Sequence, residues 1–114
     1  MKSQWEKIES TKDLEEALRE SEQLPVLFFK HSLTCAISAR AFSEFKQYLE
    51  SAESQRARNC VIVVQSARDA SRRLAEAVAV PHESPQAIVV RGGRATWDAS
   101  HFAITTDKLI AAVL

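Results

Sequence analysis

Two short, continuous apolar segments constrain the fold of this chain more than any other feature. Residues 25–30 read PVLFFK and residues 60–64 read CVIVV, and polar residues bound both segments. Apolar runs of this length without alternation are typical of β-strands that are buried on both faces of a sheet. Residues 35–49, which lie between them, repeat apolar side chains with helical period. We therefore expect two parallel central strands joined by a crossover helix.

Three further helices are predicted around this unit. Ser10 and Asp13 have the spacing of a capping box, and they precede a first helix of about two turns. Residues 67–78 again place apolar side chains at helical intervals. Thr105 or Thr106 is expected to cap a last helix, which continues to the end of the sequence.

A hairpin is predicted between the third helix and the last. The apolar residues 87–90 and 95–97 flank Gly92 and Gly93, which can supply the positive φ angles of a tight turn. Residues 5–8 are too short for a prediction. The order of elements, with a cysteine directly after a central strand, is that of the thioredoxin fold. We predict an α/β, thioredoxin-like architecture with a mixed central sheet of four to five strands flanked by helices.

Length and charge narrow the class of protein. The 114 residues, 46% of them hydrophobic, predict a single thioredoxin-like domain over residues 1–114. Fifteen basic residues balance fifteen acidic ones, so we expect no affinity for nucleic acid or for an anionic membrane. No apolar leader or membrane-spanning run is evident. With only Cys35 and Cys60, the chain fits a reducing compartment, and we expect a cytoplasmic protein.

The segment around Cys35 places a thiol where a buried strand is followed by a helix. Ligand sites of α/β sheets favour that end of the strands. The free amides and the dipole of a helix N-terminus favour a thiolate over a thiol. Residues 23–43 contain no acidic residue, whereas Lys30, His31 and Arg40 are basic, which predicts electropositive surroundings. Cys35 is therefore the candidate catalytic nucleophile.

The other positions that could assist Cys35 in redox chemistry do not carry a second reactive thiol. Cys60 begins an apolar strand and is predicted to be an inert core residue that forms no internal disulfide. Three residues after Cys35, where dithiol oxidoreductases have a second cysteine, this chain has Ser38. A serine cannot resolve a mixed disulfide, so release requires a thiol from elsewhere. The sequence predicts monothiol exchange.

A proline-containing loop precedes the predicted hairpin. We expect Ser84–Pro85 to be a cis bond that leaves the Ser84 backbone free to pair with an extended substrate, although a plain turn is the alternative. No metal site is expected at His82, because Pro85 breaks the helix that a zinc-protease motif needs and no second histidine follows. Each histidine is a candidate proton carrier near the thiol. The three are His31, His82 and His101.

Three separated motifs resemble those of a known family. KHSLTCAISARAF at residues 30–42, HESPQ at residues 82–86 and the Ser100-His101 pair are similar, in the same order, to the monothiol bacilliredoxins of the bacillithiol system, the YtxJ type. The resemblance spans almost the whole chain. It implies a thioredoxin-like fold and a monothiol thiol-disulfide oxidoreductase that removes bacillithiol from protein mixed disulfides through Cys35.

The same resemblance implies the substrate-binding positions and the partners. The expected substrate-binding residues are His31, Thr34, Ala36, Ile37, Ser38, His82, Ser84 and Pro85. The family often has proline where this chain has Ala36, which can donate a backbone amide. No bound cofactor is expected; bacillithiol would be a co-substrate, and the partners would be thiolated client proteins and a small-thiol or disulfide reductase system. Two alternatives remain open: a redox-silent thioredoxin-like binding module, and a thiol sensor that forms the adduct without turnover.

Overall fold

The computed structural model describes residues 4–114, which form a mixed β-sheet between two layers of helices. The strands are β1 (Glu6–Lys7), β2 (Val26–His31), β3 (Arg58–Val63), β4 (Gln86–Arg91) and β5 (Arg94–Ser100). The helices are α1 (Thr11–Glu20), α2 (Ala36–Leu49), α3 (Arg68–Val78) and α4 (Thr106–Val113), with short 3-10 turns at Glu53–Arg56 and His101–Ala103. The strand order is β1-β3-β2-β4-β5.

Strand β2 lies at the centre of the sheet. It pairs in parallel with β3 and antiparallel with β4, so the predicted mixed sheet and the crossover through α2 are confirmed. Strands β4 and β5 form the predicted hairpin. Its turn contains Gly92 and Gly93 with φ angles of 58° and 75°, a conformation that residues without a Cβ adopt at little cost.

Most predicted boundaries agree with the structure to within one or two residues. Strand β5 is longer than the predicted residues 95–97, because its exposed half alternates polar and apolar side chains and carries no continuous apolar run. No strand was predicted for β1, since two residues show no periodicity; it pairs with β3 at the sheet edge. The predicted domain, residues 1–114, includes residues 1–3, which lie outside the described residues.

The two faces of the sheet carry separate hydrophobic clusters because side chains alternate along a strand. Phe28 of β2 packs with Leu14 of α1 and Leu74 of α3 on one face. Phe29 packs with α2 and α4 on the other, where its ring stacks on that of Phe45 at a centroid distance of 5.2 Å. Both faces of β2 are therefore covered. Within residues 4–114, no helix has the length and apolarity that crossing a membrane requires.

The predicted helix caps are present. The Ser10 hydroxyl accepts a hydrogen bond from the Asp13 amide at 3.2 Å, and the Asp13 carboxylate accepts one from the Glu9 amide at 3.0 Å. Of the two threonines considered for α4, Thr105 is the cap, and its hydroxyl accepts from the Lys108 amide at 3.3 Å. These bonds satisfy helix donors that have no acceptor within the helix.

A buried polar bond fixes α2 against β3. The Tyr48 hydroxyl donates to the Asn59 side-chain oxygen at 2.7 Å, and the Asn59 amide group donates to the Ser54 carbonyl at 3.0 Å. Tyr48 is fully buried, and burial raises the pKa of its hydroxyl. The hydroxyl therefore acts as an uncharged donor at every pH at which the protein is studied.

We expect Tyr48→Phe to lower the free energy of unfolding by about 1–2 kcal/mol, because the Asn59 oxygen loses its partner inside the core. Urea denaturation followed by circular dichroism measures the change. Ser43→Ala, on the exposed side of the same helix, is the matched control and should change stability by less than about 0.5 kcal/mol. Equal effects of the two substitutions would contradict the assigned role of the buried bond.

Candidate active site

Cys35 is the N-cap residue of α2 and lies beyond the carboxyl end of β2. Its backbone is extended, with φ −114° and ψ 124°, and its carbonyl accepts the Ala39 amide at 3.1 Å. The side chain makes no capping hydrogen bond and is partly exposed. The first turn of α2 contains no acidic residue. A thiol placed in this way is accessible to a disulfide that approaches the N-terminus of α2.

Ser38 occupies the position of the second cysteine in dithiol proteins, and here its side chain forms hydrogen bonds within the protein. Its side chain is fully buried. The hydroxyl accepts from the Ser32 amide at 2.9 Å and lies 2.7 Å from His31 Nδ1. The Ser38 hydroxyl and His31 Nδ1 therefore share a hydrogen bond, whose direction follows the tautomer of the His31 ring. Ser38 therefore ties the first turn of α2 to the end of β2.

His31 is held as a neutral ring. It stacks on Phe42 with a centroid distance of 4.6 Å and an interplanar angle of 21°. Burial lowers the pKa of His31, so the imidazole is uncharged at neutral pH. It contributes hydrogen bonding and packing next to the cysteine loop, and no positive charge.

Gln65 holds the same loop from the opposite side. Its side-chain oxygen accepts from the Leu33 amide at 3.2 Å, while its amide group donates to the hydroxyls of Ser32 at 2.8 Å and Thr34 at 3.4 Å. Gln65 was not a predicted site residue. It could have been found from its place directly after the strand that neighbours β2, at the edge where ligand sites of such sheets form.

Lys30 is a fully buried lysine at the end of β2. Its Nζ donates to the Ser71 carbonyl at 3.2 Å and lies 3.1 Å from His82 Nδ1. Within residues 4–114, no carboxylate forms an ion pair with it. Burial lowers the pKa of Lys30 to about 8. The pKa of His82 is also lowered, mainly by burial and secondarily by the Lys30 charge, against an opposing effect of Glu83.

These positions correct the expectation that basic residues surround Cys35. Lys30 is directed towards α3, on the sheet face opposite to α2, because neighbouring residues of a strand point to opposite faces. His31 is neutral for the reason given above. Of the three basic residues, Arg40 remains on the exposed side of α2, where its guanidinium lies over the Phe102 ring at 5.3 Å. A count of basic residues along the sequence does not show which face of the sheet each side chain occupies.

The proline loop carries the predicted cis peptide bond at Ser84–Pro85, so the plain-turn alternative is wrong. Pro85 is buried, and its carbonyl accepts from the His101 amide at 3.1 Å. The His101 ring lies 3.6 Å from the Glu83 carboxylate. The Ser84 hydroxyl is buried and has no hydrogen-bond partner within the described residues. An unpaired buried hydroxyl is uncommon in folded proteins, and this oxygen is closed to solvent.

The remaining predicted residues fall into two groups. Thr34 and Ala36 are exposed on either side of Cys35, and Ile37 is partly exposed. Cys60 is fully buried on the other face of the sheet, among the side chains of α1 and α3. Burial, aided by the nearby Glu6 carboxylate, raises the pKa of the Cys60 thiol to about 12, which fits the prediction of an inert core residue.

Neither cysteine is in a disulfide. Residues 4–114 contain no cluster of three or more histidine, cysteine, aspartate or glutamate side chains that could hold a metal ion.

The monothiol bacilliredoxin BrxC family matches residues 6–109. The chain belongs to this family. A solved structure described as a candidate oxidoreductase with a thioredoxin fold is 33% identical, with 93% of this chain and 90% of that chain covered and a TM-score of 0.80. Together these confirm a thiol-disulfide oxidoreductase with the thioredoxin-like architecture that the order of elements predicts.

Thioredoxins of distant organisms share the fold at low identity. The thioredoxin of Fasciola hepatica is 13% identical with a TM-score of 0.74, and 95% of each chain is covered. A Schistosoma mansoni thioredoxin pre-protein is 17% identical with a TM-score of 0.75, covering 98% of this bacilliredoxin and all of that chain. At these identities the likeness concerns the fold alone.

The buried ammonium of Lys30 predicts an unusual pH dependence of stability. Between pH 8 and the ordinary lysine pKa of 10.5, the folded state binds fewer protons than the unfolded chain, so rising pH favours folding through this group. Lys30→Met should therefore exceed the wild type in stability at pH 7, by roughly 2–4 kcal/mol. The difference should shrink as the pH rises from 8 to 10.

Denaturation midpoints of the two proteins at several pH values measure this difference. Taking the difference removes the opposing contributions of Cys60 and Tyr48, whose raised pKa values are common to both proteins. Lys12→Met, an exposed lysine of α1, is the control and should give a small difference that does not change with pH. A Lys30→Met protein that is less stable at pH 7 would contradict the assignment of Lys30 as a costly buried charge.

Proposed function

We propose that this bacilliredoxin removes bacillithiol from protein mixed disulfides, with Cys35 as the catalytic nucleophile. The observation that carries the proposal is the pairing of a partly exposed Cys35 at the N-cap of α2 with a buried serine three residues later. The first supplies an accessible thiol at the N-terminus of a helix. The second removes the internal route by which a dithiol protein would release its product.

The exchange proceeds in two balanced steps. The Cys35 thiolate attacks the bacillithiol sulfur of the mixed disulfide, a new disulfide forms between Cys35 and bacillithiol, and the client sulfur leaves as a thiolate that takes a proton from water. A second small thiol, or a partner reductase, then attacks the Cys35 adduct and regenerates the free enzyme. Ser38 cannot perform this second attack, so the adduct persists until an external thiol arrives.

The predicted substrate-binding residues divide by position. Thr34, Ala36 and Ile37 border the thiol and contact the bound disulfide, and the Ala36 amide can donate to it. Ser84 and Pro85 form the cis-proline loop, and the Ser84 backbone is the part that would pair with an extended client segment.

The other three members of the predicted set are supporting groups. His31 and Ser38 are positioning residues, because their mutual hydrogen bond ties the end of β2 to the first turn of α2. His82 belongs to the cluster around Lys30 and acts on the α3 side of the loop. The proposed partners are thiolated client proteins and a small-thiol or disulfide reductase system. The chain would act on them as a single domain in the cytoplasm.

The direct test is the release of bacillithiol from a bacillithiolated client protein, followed by mass spectrometry. Cys35→Ser should reduce the rate to that of the uncatalysed reaction, because a hydroxyl does not exchange with a disulfide. Cys60→Ala, the matched control, should keep the wild-type rate because that thiol is buried and protonated. Full activity of the Cys35→Ser protein would contradict the proposal.

The same experiment separates the two alternatives. A redox-silent binding module has no adduct at Cys35 and no release of the small thiol, although it binds the client. A thiol sensor forms the adduct once, in an amount equal to that of the protein, and shows no turnover when free bacillithiol is added. Repeated turnover with added thiol excludes both.

Introducing the second cysteine tests the monothiol mechanism from the other direction. In Ser38→Cys, the Cys35 adduct should be resolved internally, releasing bacillithiol and leaving a protein that is lighter by two hydrogens than its reduced form. The wild-type adduct should stay intact over the same period without added thiol. Ser38→Ala is the control, since it removes the serine hydrogen bonds without supplying a thiol. Spontaneous loss of the wild-type adduct would contradict the role given to Ser38.

A further inference from the structure

A cationic cavity adjoins the cysteine loop on the α3 side of the sheet. Its volume is about 360 Å³, within the range of small-molecule sites. The lining residues are Val64, Gln65, Arg68, Ser71, Arg72, Ala75 and His82. None of them is acidic, and behind Ser71 and His82 lies the buried ammonium of Lys30.

The hydrogen bonds around His82 show what the cavity offers to a ligand. Because Lys30 has only donors, the contact of 3.1 Å makes His82 Nδ1 an acceptor. The ring proton of neutral His82 is then on Nε2, which becomes a donor. With the guanidinium groups of Arg68 and Arg72, the cavity presents a set of donors and positive charges, an arrangement that suits a carboxylate.

The nearby carboxylates do not neutralise this set. Asp69 approaches Arg72 at 3.8 Å, but both side chains are largely exposed, 85% and 71%, and such pairs are weak in water. Glu83 lies 3.6 Å from His101, in the loop that follows β5, and does not line the cavity. A ligand carboxylate would therefore meet uncompensated positive charge.

Gln65 connects this cavity with the reaction site. It lines the cavity, and its side chain bonds to Ser32, Leu33 and Thr34, the three residues that precede Cys35. Gln65 is thus shared by the cavity lining and the cysteine loop, so the cavity adjoins the residues that directly precede Cys35. A client protein's backbone, in contrast, pairs with the proline loop at Ser84.

We propose that the cavity between α3 and His82 binds the carboxylate-bearing end of the small thiol that exchanges at Cys35. This inference rests on the proposed function and specifies its substrate class: a low-molecular-weight thiol with carboxylates remote from its sulfur, of which bacillithiol is one. Arg68 and Arg72 bind the carboxylates, and His82 donates from Nε2. Lys30 is a positioning residue that fixes the His82 tautomer.

Binding is tested without exchange by using S-methylated bacillithiol, whose thioether cannot react with Cys35. Titration calorimetry should show binding to the wild type, and a Kd about tenfold or more higher for Arg68→Gln/Arg72→Gln, since two charge-assisted contacts are lost. Arg73→Gln is the matched control, because Arg73 is on the same helix but pairs with Glu15 outside the cavity. Equal Kd values for all three proteins, or no binding by the wild type, would overturn the proposal.

A second measurement separates this proposal from the proposed function. One client protein is thiolated either with bacillithiol or with uncharged 2-mercaptoethanol, and kcat/KM is compared for the wild type and the double variant. A loss confined to the bacillithiol-capped client supports the cavity assignment. An equal loss with both caps would assign the arginines to the client and overturn it. Binding of the thioether by a wild type that releases neither cap would leave the cavity assignment standing and refute the proposed catalysis.

Discussion

Strand β2 is hydrogen-bonded along both edges and covered on both faces, and the candidate site depends on how this strand ends. Because its side chains alternate, the last two residues diverge: Lys30 enters the layer of α3, and His31 enters the layer of α2. The chain that leaves β2 therefore has a polar anchor on each side. Ser38 holds it on the α2 side and Gln65 on the α3 side, so Cys35 emerges from a loop fixed at both borders.

Ser38 illustrates how the exchange of sulfur for oxygen at one position changes the chemistry of the cysteine loop. A cysteine at this position would put a second sulfur beside the first, and exchange would end in an internal disulfide. The serine hydroxyl instead accepts from the Ser32 amide and shares a hydrogen bond with the His31 ring, two contacts for which sulfur is a weak partner. These hydrogen bonds order the loop, but the protein has no second thiol with which to release a mixed disulfide at Cys35 by itself. The lifetime of the adduct is then set by the supply of external thiol.

The fold could be predicted well because its signals are local. The continuous apolar strands, the caps at Ser10 and Thr105 and the two glycines of the hairpin are each readable from a few neighbouring residues. The cysteine at a strand-to-helix junction is equally local, as is the serine three residues later. These features, with the family motifs, led to the right architecture and the right class of oxidoreductase.

What could not be predicted depends on which face of the sheet a side chain enters. The basic residues near Cys35 are neighbours in sequence, yet Lys30 and His31 belong to different layers. Gln65 and Ser71 come from other elements and meet the loop only in three dimensions. Their local sequence contains no motif for this role, and only the rule that sites form at the carboxyl ends of adjacent strands pointed to that region.

The geometry of disulfide exchange indicates how the α2 side and the α3 side of the cysteine loop could each contribute to the reaction. The attacking sulfur, the sulfur under attack and the leaving sulfur lie nearly in line in such an exchange, so in the proposed reaction the small thiol would stand between Cys35 and the client. The part of the small thiol remote from its sulfur would then extend to one side of the line through the three sulfur atoms. Leu33, within the loop, and Phe102, beside Arg40 of α2, are apolar side chains that are 66% and 61% exposed, which suits contact with a protein surface. The cationic cavity lies on the α3 side, next to Gln65, and would suit a compact thiol that carries negative charge.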